Sequence, residues 1–291
     1  MKAVEVNTGN VNDFIAYCKK YAPEHDESYI PRDDFSPGED EAAYILLNDN
    51  KETVGAISFI IDKEFPASRR FRIFHTIEKT FDNYKLLLDS ALRQSNGVEN
   101  IFCFILEDKP DVCAIWEELG FKIKRYSWVL ERDIEGVGKA DIPAGFEVRQ
   151  LSGSRDEQAW CDIINSAFAE IEGHTHMLPY KIAEMRKEKD YMENGMKIAW
   201  SGNSPAGLLK LIRTNEEGED ILFIETLGVH RSFQGKGLGK ALLRYGVNFG
   251  KDLGIKRSML TVNAENSSAA NLYFNEGFKK TVVYICYNKK L

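Results

Sequence analysis

The sequence predicts an α/β protein of two tandem domains, each a twisted mixed β-sheet flanked by helices. Three observations carry this. The order strand, helix, hairpin, helix, strand, helix, strand reads twice along the 291 residues, a length beyond the usual single-domain range. The dipeptides Gly120-Phe121 and Gly277-Phe278 lie 157 positions apart, and at that offset Trp116 falls on Tyr273, Ile105 on Val262 and Val98 on Ile255. Between the copies, Asp133 to Gly145 (DIEGVGKADIPAG) has the Gly, Pro and charge content of a linker. Domains are therefore expected over 1–134 and 146–291, joined by 135–145.

In the first half, Ala3 to Val6 reads as a strand. Phe14, Ile15, Cys18 and Tyr21 then mark one side of a helix that Ala22-Pro23 stops. The charged, proline-bearing stretch Glu24 to Glu41 reads as a loop or helix-loop segment. Ala43 to Leu47 and Val54 to Ile61 form a hairpin across Asn48-Asp49-Asn50-Lys51, whose Asn and Asp suit a turn. A strand near Phe71 to Phe74, a helix from Asp82 to Gln94, a strand from Asn100 to Leu106, a helix from Asp111 to Leu119 and a strand from Tyr126 to Glu131 complete this half.

The second half opens with a strand, Phe146 to Leu151, and a helix, Glu157 to Ala169, carrying Trp160, Ile163, Ile164 and Phe168. A further helical stretch, Tyr180 to Tyr191, precedes a hairpin of Met196 to Trp200 and Ala206 to Arg213 around Gly202-Asn203-Ser204-Pro205. Ile221 to Val229 is apolar except for Glu225, Thr226 and Gly228, as in a strand buried on both faces. A short loop with glycine at 235, 237 and 239 follows, and Leu238, Leu242, Tyr245, Phe249 and Leu253 then mark one face of a helix. Arg257 to Asn263 is a short β-rich run. Asn266-Ser267-Ser268 can cap the helix carrying Ala269, Leu272 and Tyr273, which Gly277 ends in a left-handed conformation, with Phe278 folding back onto the core.

Composition narrows the function. Hydrophobic residues at 43% and charged residues at 29% suit a globular protein, and no apolar run approaches the roughly 20 residues of a membrane span. The five cysteines are scattered singly and the amino terminus has no apolar leader, so a reducing cytoplasm, no disulfides and no metal site are expected. A net charge of −7 and a pI near 5.4 speak against nucleic-acid binding and allow a cationic small substrate.

The glycine loop sits at a helix N-terminus, where backbone N–H groups lack intrahelical partners and face the positive end of the dipole. Such a loop suits an anion such as a pyrophosphate, or else it is a purely structural connection. Its spacing is neither G-x-G-x-x-G nor a Walker A loop, since Gly239-Lys240 is followed by Ala241.

What Gln234, Gly237 and Gly239 do resemble, after a strand and before a helix, is the phosphate-binding motif of the GNAT superfamily of acetyl-CoA-dependent N-acyltransferases. The run N-x-x-A-x-x-L-Y-x-x-x-G-F from Asn266 to Phe278 resembles the second half of that family's signature, so the resemblance covers residues from about Gly145 to Leu291. It implies an N-acetyltransferase moving an acetyl group from acetyl-CoA to a primary amine of a small-molecule or peptide acceptor. The alternative is an acyl-CoA-binding regulatory protein without turnover. The resemblance further implies that the backbone of Leu227, Gly228 and Val229, on a strand splayed from Met259 to Asn263, meets the pantetheine. It assigns the phosphates to Gln234, Gly235, Lys236, Gly237, Leu238, Gly239 and Lys240, although each lysine has a merely solvated reading. Asn266 would bind the cofactor, cap its helix, or do both. Glu225 matches the general base, with its burial raising its basicity; the alternative is an edge-facing salt bridge. Tyr273 matches the general acid, or packs the core. His174 and His176 border the acceptor region in the family, or are surface loop residues. Ala114 to Phe121, AIWEELGF, resembles the end of a degenerate copy of the same domain. There the ungapped offset puts Ile77, Thr80 and Asp82 opposite Gln234, Gly237 and Gly239, and Glu78 opposite Gly235, so no second CoA is expected.

Overall fold

A computed structural model describes residues 1–24, 29–36, 42–61, 67–93, 97–171, 175–187, 191–216 and 218–291. The chain forms two compact units, one of residues 1–127 with 283–291 and the other of residues 128–282.

The first unit contains β1 (Lys2–Glu5), α1 (Val11–Lys20), β2 (Ala43–Leu47), β3 (Thr53–Ile61), β4 (Ser68–Thr76), α2 (Phe81–Leu92), β5 (Asn100–Leu106) and α3 (Pro110–Glu118). Its strands lie in the order β1-β2-β3-β4-β5, all neighbours antiparallel except the parallel pair β4 and β5. Alternate residues face opposite sides of such a sheet. Ile45, Ala56 and Ile73 accordingly pack on Phe14, Ile15 and Cys18 of α1, whereas Leu46, Ile57 and Phe74 pack with Tyr84, Leu87 and Trp116 of α2 and α3. At the β2–β3 turn it is Asn48 whose side chain accepts the N–H groups of Asn50 and Glu52, while Lys51 takes a left-handed φ of +64°.

The remaining strand of the first sequence copy, β6 (Lys122–Asp133), runs through the division. The second unit continues with β7 (Glu147–Gln150), α4 (Gly153–Ala167), α5 (Tyr180–Met185), β8 (Tyr191–Ser201), β9 (Ser204–Glu216), β10 (Glu219–Val229), α6 (Leu238–Asp252), β11 (Arg257–Asn263) and α7 (Ser267–Asn275). Its strand order is β7-β8-β9-β10-β11-β6. One sheet face packs Leu209, Leu211 and Leu222 on Leu243 and Val247 of α6, and the other packs Ile198 and Leu208 on Trp160 and Ile163 of α4.

Three expectations are corrected. The helix expected over 180–191 ends at Met185, and Tyr191 instead opens β8, where it pairs with Ile212. The segment taken for a linker is built into the second unit. Ile134 is 1% exposed and donates its N–H to Lys256, while the carbonyls of Gly138 and Lys139 accept from Asn248 and Arg244 of α6. Its glycines and charges mask one core residue. Third, the final strand β12 (Lys279–Lys290) does not end the unit that precedes it: Tyr284 to Lys290 pair antiparallel with Leu106 to Asn100 of β5, and Tyr287 donates to Glu117 of α3 at 2.8 Å. Unit boundaries thus fall at 127/128 and 282/283, in place of the expected 1–134 and 146–291.

Each unit repeats two irregularities. The parallel pair β10 and β11 is joined only at Ile221–Phe223 with Arg257–Met259, and β4 and β5 only at Ser68–Arg70 with Asn100–Phe102, so both pairs part beyond that point. One strand of each pair also carries a bulge. Ile224 faces Leu211 and Thr226 faces Lys210, which leaves Glu225 as the extra residue. In the first unit Ile73 faces Ser58 and Phe71 faces Phe59, which leaves Arg72. Among the described residues no helix is long and apolar enough to cross a membrane.

Candidate active site

The site grows from the end of β10. Leu238, Ala241 and Leu242 are buried and fix the first turn of α6, while Gly237 stands at the N-cap with a φ of +79° and offers no side-chain cap. The first N–H groups of α6 are thereby left for another acceptor. Gly235 is also left-handed, at +74°, and a Cβ there would meet nothing within 4 Å, so conformation rather than space calls for glycine. A Cβ on Gly239 would lie 3.7 Å from both Val229 and Leu272, which sets the helix start against the tip of β10 and against α7. Gln234 closes the loop by donating its amide to the Val229 carbonyl at 3.1 Å.

Backbone direction at the strand tip follows from pairing. The His230 N–H donates to the Ala206 carbonyl of β9, so alternation turns the Val229 N–H the other way, into the gap left by β11. Leu227 and Val229 are half-buried and Gly228 is buried, where a Cβ would come 3.2 Å from the Phe168 ring.

Glu225 is not the buried carboxylate expected from an apolar run. The bulge turns it outward, its side chain 34% exposed, and both its oxygens meet the ammonium of Lys210, at 2.9 and 2.8 Å. Lys210 is the buried member, 2% exposed. Tyr273, by contrast, is 8% exposed and packs edge-on to Phe278 with ring centres 6.0 Å apart. Burial pushes its phenol up to about 12, so it stays protonated at neutral pH.

The other expected residues divide. Asn266 caps α7, accepting the Ala269 N–H at 3.2 Å. Lys236 lies over the Phe233 ring at 5.2 Å. Lys240 pairs with Glu276 at 3.2 Å, so neither a purely solvated nor an uncommitted phosphate-binding lysine describes it. Burial favours a raised Glu276 pKa, but Arg244 and Lys240 hold this carboxyl below its ordinary value. His176 is exposed and lies 3.3 Å from the Asn165 amide; His174 lies outside the described residues. Lys210 and Glu276 escaped the sequence reading. Lys210 had a signal, as the lone charge in the apolar run Leu208 to Ile212 beside the strand bearing Glu225.

The first unit shows what the loop contributes by lacking it. Four residues, 77–80, join β4 to α2, against eight, 230–237, joining β10 to α6. The ungapped alignment is corrected accordingly: Ile77 follows its strand as His230 does, and four of the residues 231–236 have no counterpart. Thr80 does occupy the N-cap position of Gly237, but its hydroxyl caps the helix by accepting the Asn83 N–H.

Residues 159–278 match the Acetyltransferase (GNAT) family. The chain is 27% identical over 191 residues to mycothiol acetyltransferase of Geodermatophilus obscurus, covering 62% of this chain and 61% of that protein. It is 28% identical over 189 residues to the protein of that name from Kocuria rhizophila, covering 62% of each. The matches thus span about three fifths of these relatives' length. Among solved structures, a GCN5-related N-acetyltransferase from Sphaerobacter thermophilus superposes with a TM-score of 0.70 at 16% identity, over 99% of this chain and 95% of the other. A tandem GNAT protein from the clavulanic acid biosynthesis pathway gives 0.70 at 12% identity, over 99% and 98%. The fold is that of tandem GNAT proteins, and the stretch that matches the acetyltransferase (GNAT) family lies within the second unit.

Proposed function

We propose that the second unit is an N-acetyltransferase that moves an acetyl group from acetyl-CoA to a primary amine of a small molecule, in the cytoplasm. The observation that carries this reading is the conjunction at one strand tip of a parted parallel pair and a helix start stripped of side-chain caps. The first offers unpaired backbone to an amide-bearing chain, the second offers N–H groups and a positive dipole end to phosphates. The relatives' name, mycothiol acetyltransferase, supports acetyl as the group and a small molecule as the acceptor. The test is direct: with acetyl-CoA and a panel of amines, free thiol should appear faster than background hydrolysis for some amines. CoA binding without thiol release for any amine would favour a regulatory acyl-CoA binder.

In this reading each group acts from the place described above. The N–H groups at Gly237 to Lys240 hold the pyrophosphate, and Gln234 shapes their loop. The Val229 N–H, turned into the gap, polarises the thioester carbonyl. Glu225 takes a proton from the acceptor ammonium, directly or through water, and its ion pair with Lys210 holds the carboxylate in place. Tyr273 supplies a proton to the departing sulfur.

Glu225→Gln should separate base from ion pair, because the amide oxygen still answers Lys210. We expect kcat to fall by about 10²–10³ near neutral pH with little change in KM for acetyl-CoA, and to recover as pH rises and the amine deprotonates unaided. A pH–rate profile parallel to wild type would remove Glu225 from the chemistry.

Stoichiometry follows from the shortened connection in the first unit. Calorimetric titration with CoA should give one site per chain, and two equivalent sites would overturn the assignment of CoA to the second unit alone.

A further inference from the structure

Arg231 ties two sides of the candidate site together. It opens the turn Arg231–Phe233 in the connection between β10 and α6, and it reaches the end of α4 at three points. Its backbone N–H donates to the Ser166 hydroxyl at 3.2 Å, its Nε donates to the Ser166 carbonyl at 3.0 Å, and its guanidinium pairs with Glu170 at 2.9 Å. These contacts differ in weight. The Arg231 and Glu170 side chains are 46% and 83% exposed, so water screens their ion pair and it contributes little. The Ser166 carbonyl is among the last of α4, where no N–H of the helix reaches it. A guanidinium completes it with a charge-assisted bond, at the helix end that favours a cation.

No residue of the turn Arg231–Phe233 is buried, so hydrogen bonds rather than packing hold it, and segments of this kind respond readily to a ligand. Gln234 follows directly, its amide on the Val229 carbonyl, and after it come the glycines of the loop assigned to the pyrophosphate.

At the other end of the tie, α4 stands against the tip of β10: a Cβ on Gly228 would come 3.2 Å from Phe168 and 3.5 Å from Ala167. Asn165, the neighbour of Ser166, accepts the Met177 N–H at 2.7 Å and donates to the Met177 carbonyl at 3.0 Å, so the chain entering α5 follows the end of α4. Met196 stands opposite Lys210 across β8 and β9, and it packs with Trp160 of α4 and Ile182 of α5. The Lys210–Glu225 pair therefore lies on the sheet face that α4 and α5 cover, and an amine bound for Glu225 passes those helices.

We propose that Arg231 is a positioning residue for acetyl transfer: by fixing Ser166 to the loop that takes the pyrophosphate, it lets bound CoA steady the wall past which the amine enters. The inference rests on the function proposed above. It needs no contact between Arg231 and either substrate.

The test is hydrogen exchange of the full chain, read by mass spectrometry with and without CoA and with no amine present. CoA should slow exchange in residues 234–243 and also, by at least about threefold, in residues 163–171. In Arg231→Met, which keeps the stem and loses the guanidinium, the first effect should remain and the second should fall below about twofold. Arg231→Lys, whose ammonium still answers one acceptor, should recover part of it, and Glu170→Gln, which loses only the exposed ion pair, should behave as wild type. For any amine that releases thiol, Arg231→Met should raise its KM about 3–10-fold and leave the KM for acetyl-CoA within about twofold, a split that general loosening of the fold would not give. Slowed exchange in 234–243 with none in 163–171 of the wild type would overturn the proposal, as would an equal effect on 163–171 in wild type and Arg231→Met. An effect at neither place would overturn the assignment of CoA to the loop itself, and the proposal with it.

Discussion

Tyr273→Phe is expected to lower kcat by about 10²–10⁴ while CoA affinity and melting temperature stay nearly unchanged. The phenyl ring keeps the edge-on packing against Phe278 and the burial of the core, so the variant removes one proton and little else. That proton is available at neutral pH wherever the protein is folded, because burial pushes the phenol to about 12 and a free thiol titrates near 8.5. The sign follows: ionisation of Tyr273 costs activity only as pH rises towards that value, and any earlier alkaline decline belongs to another group. A leaving thiol more acidic than that of CoA needs less protonation and should restore part of the lost rate. Near-normal turnover on acetyl-CoA, with no gain from the better leaving group, would reduce Tyr273 to a packing residue.

The second large effect is expected at Gly237. A side chain there has room, since a Cβ would meet only Pro143 at 3.9 Å, but it must adopt a φ of +79°. That strain is common to Gly237→Ala and Gly237→Glu and costs about 1–2 kcal/mol. The glutamate alone adds a negative charge beside the first N–H groups of α6, so the pair of variants isolates electrostatics from backbone strain. With charge-assisted bonds worth about 1.5–3 kcal/mol each, loss of two should weaken CoA binding by roughly a hundredfold or more in Gly237→Glu relative to Gly237→Ala. Equal affinities in two folded variants, measured by calorimetry, would remove the pyrophosphate from this loop.

What the sequence discloses here is what neighbouring residues decide among themselves. The glycine loop, the Asn266 cap and the Gly277-Phe278 helix end are local, and each stands where periodicity and turn chemistry put it. The bulge at Glu225 is different in kind, because it is a relation between β10 and β9, and no composition of one strand encodes its register with another. For the same reason the lone charges Lys210 and Glu225 are visible singly, but their pairing is not. The shortened connection after β4 hid behind an offset that holds on its far side, from α2 to Phe121, and fails by four residues on its near side. Ile134 hid in a polar stretch because one buried side chain scarcely alters an average.

The place of the last strand has a consequence for how the molecule is made. A chain leaves the ribosome from its amino terminus, and a domain that is contiguous in sequence closes as soon as its own residues emerge. The first unit is denied that course, since the partner of β5 is Tyr284 to Lys290 and Tyr287 anchors to Glu117. Residues 128–282, synthesised later, hold their own strands together and are free to finish first. At ordinary rates of about 5–20 residues per second, β5 waits roughly 10–40 s with one edge open, the half-made protein that chaperones are adapted to shield. Order of birth and order of completion are reversed.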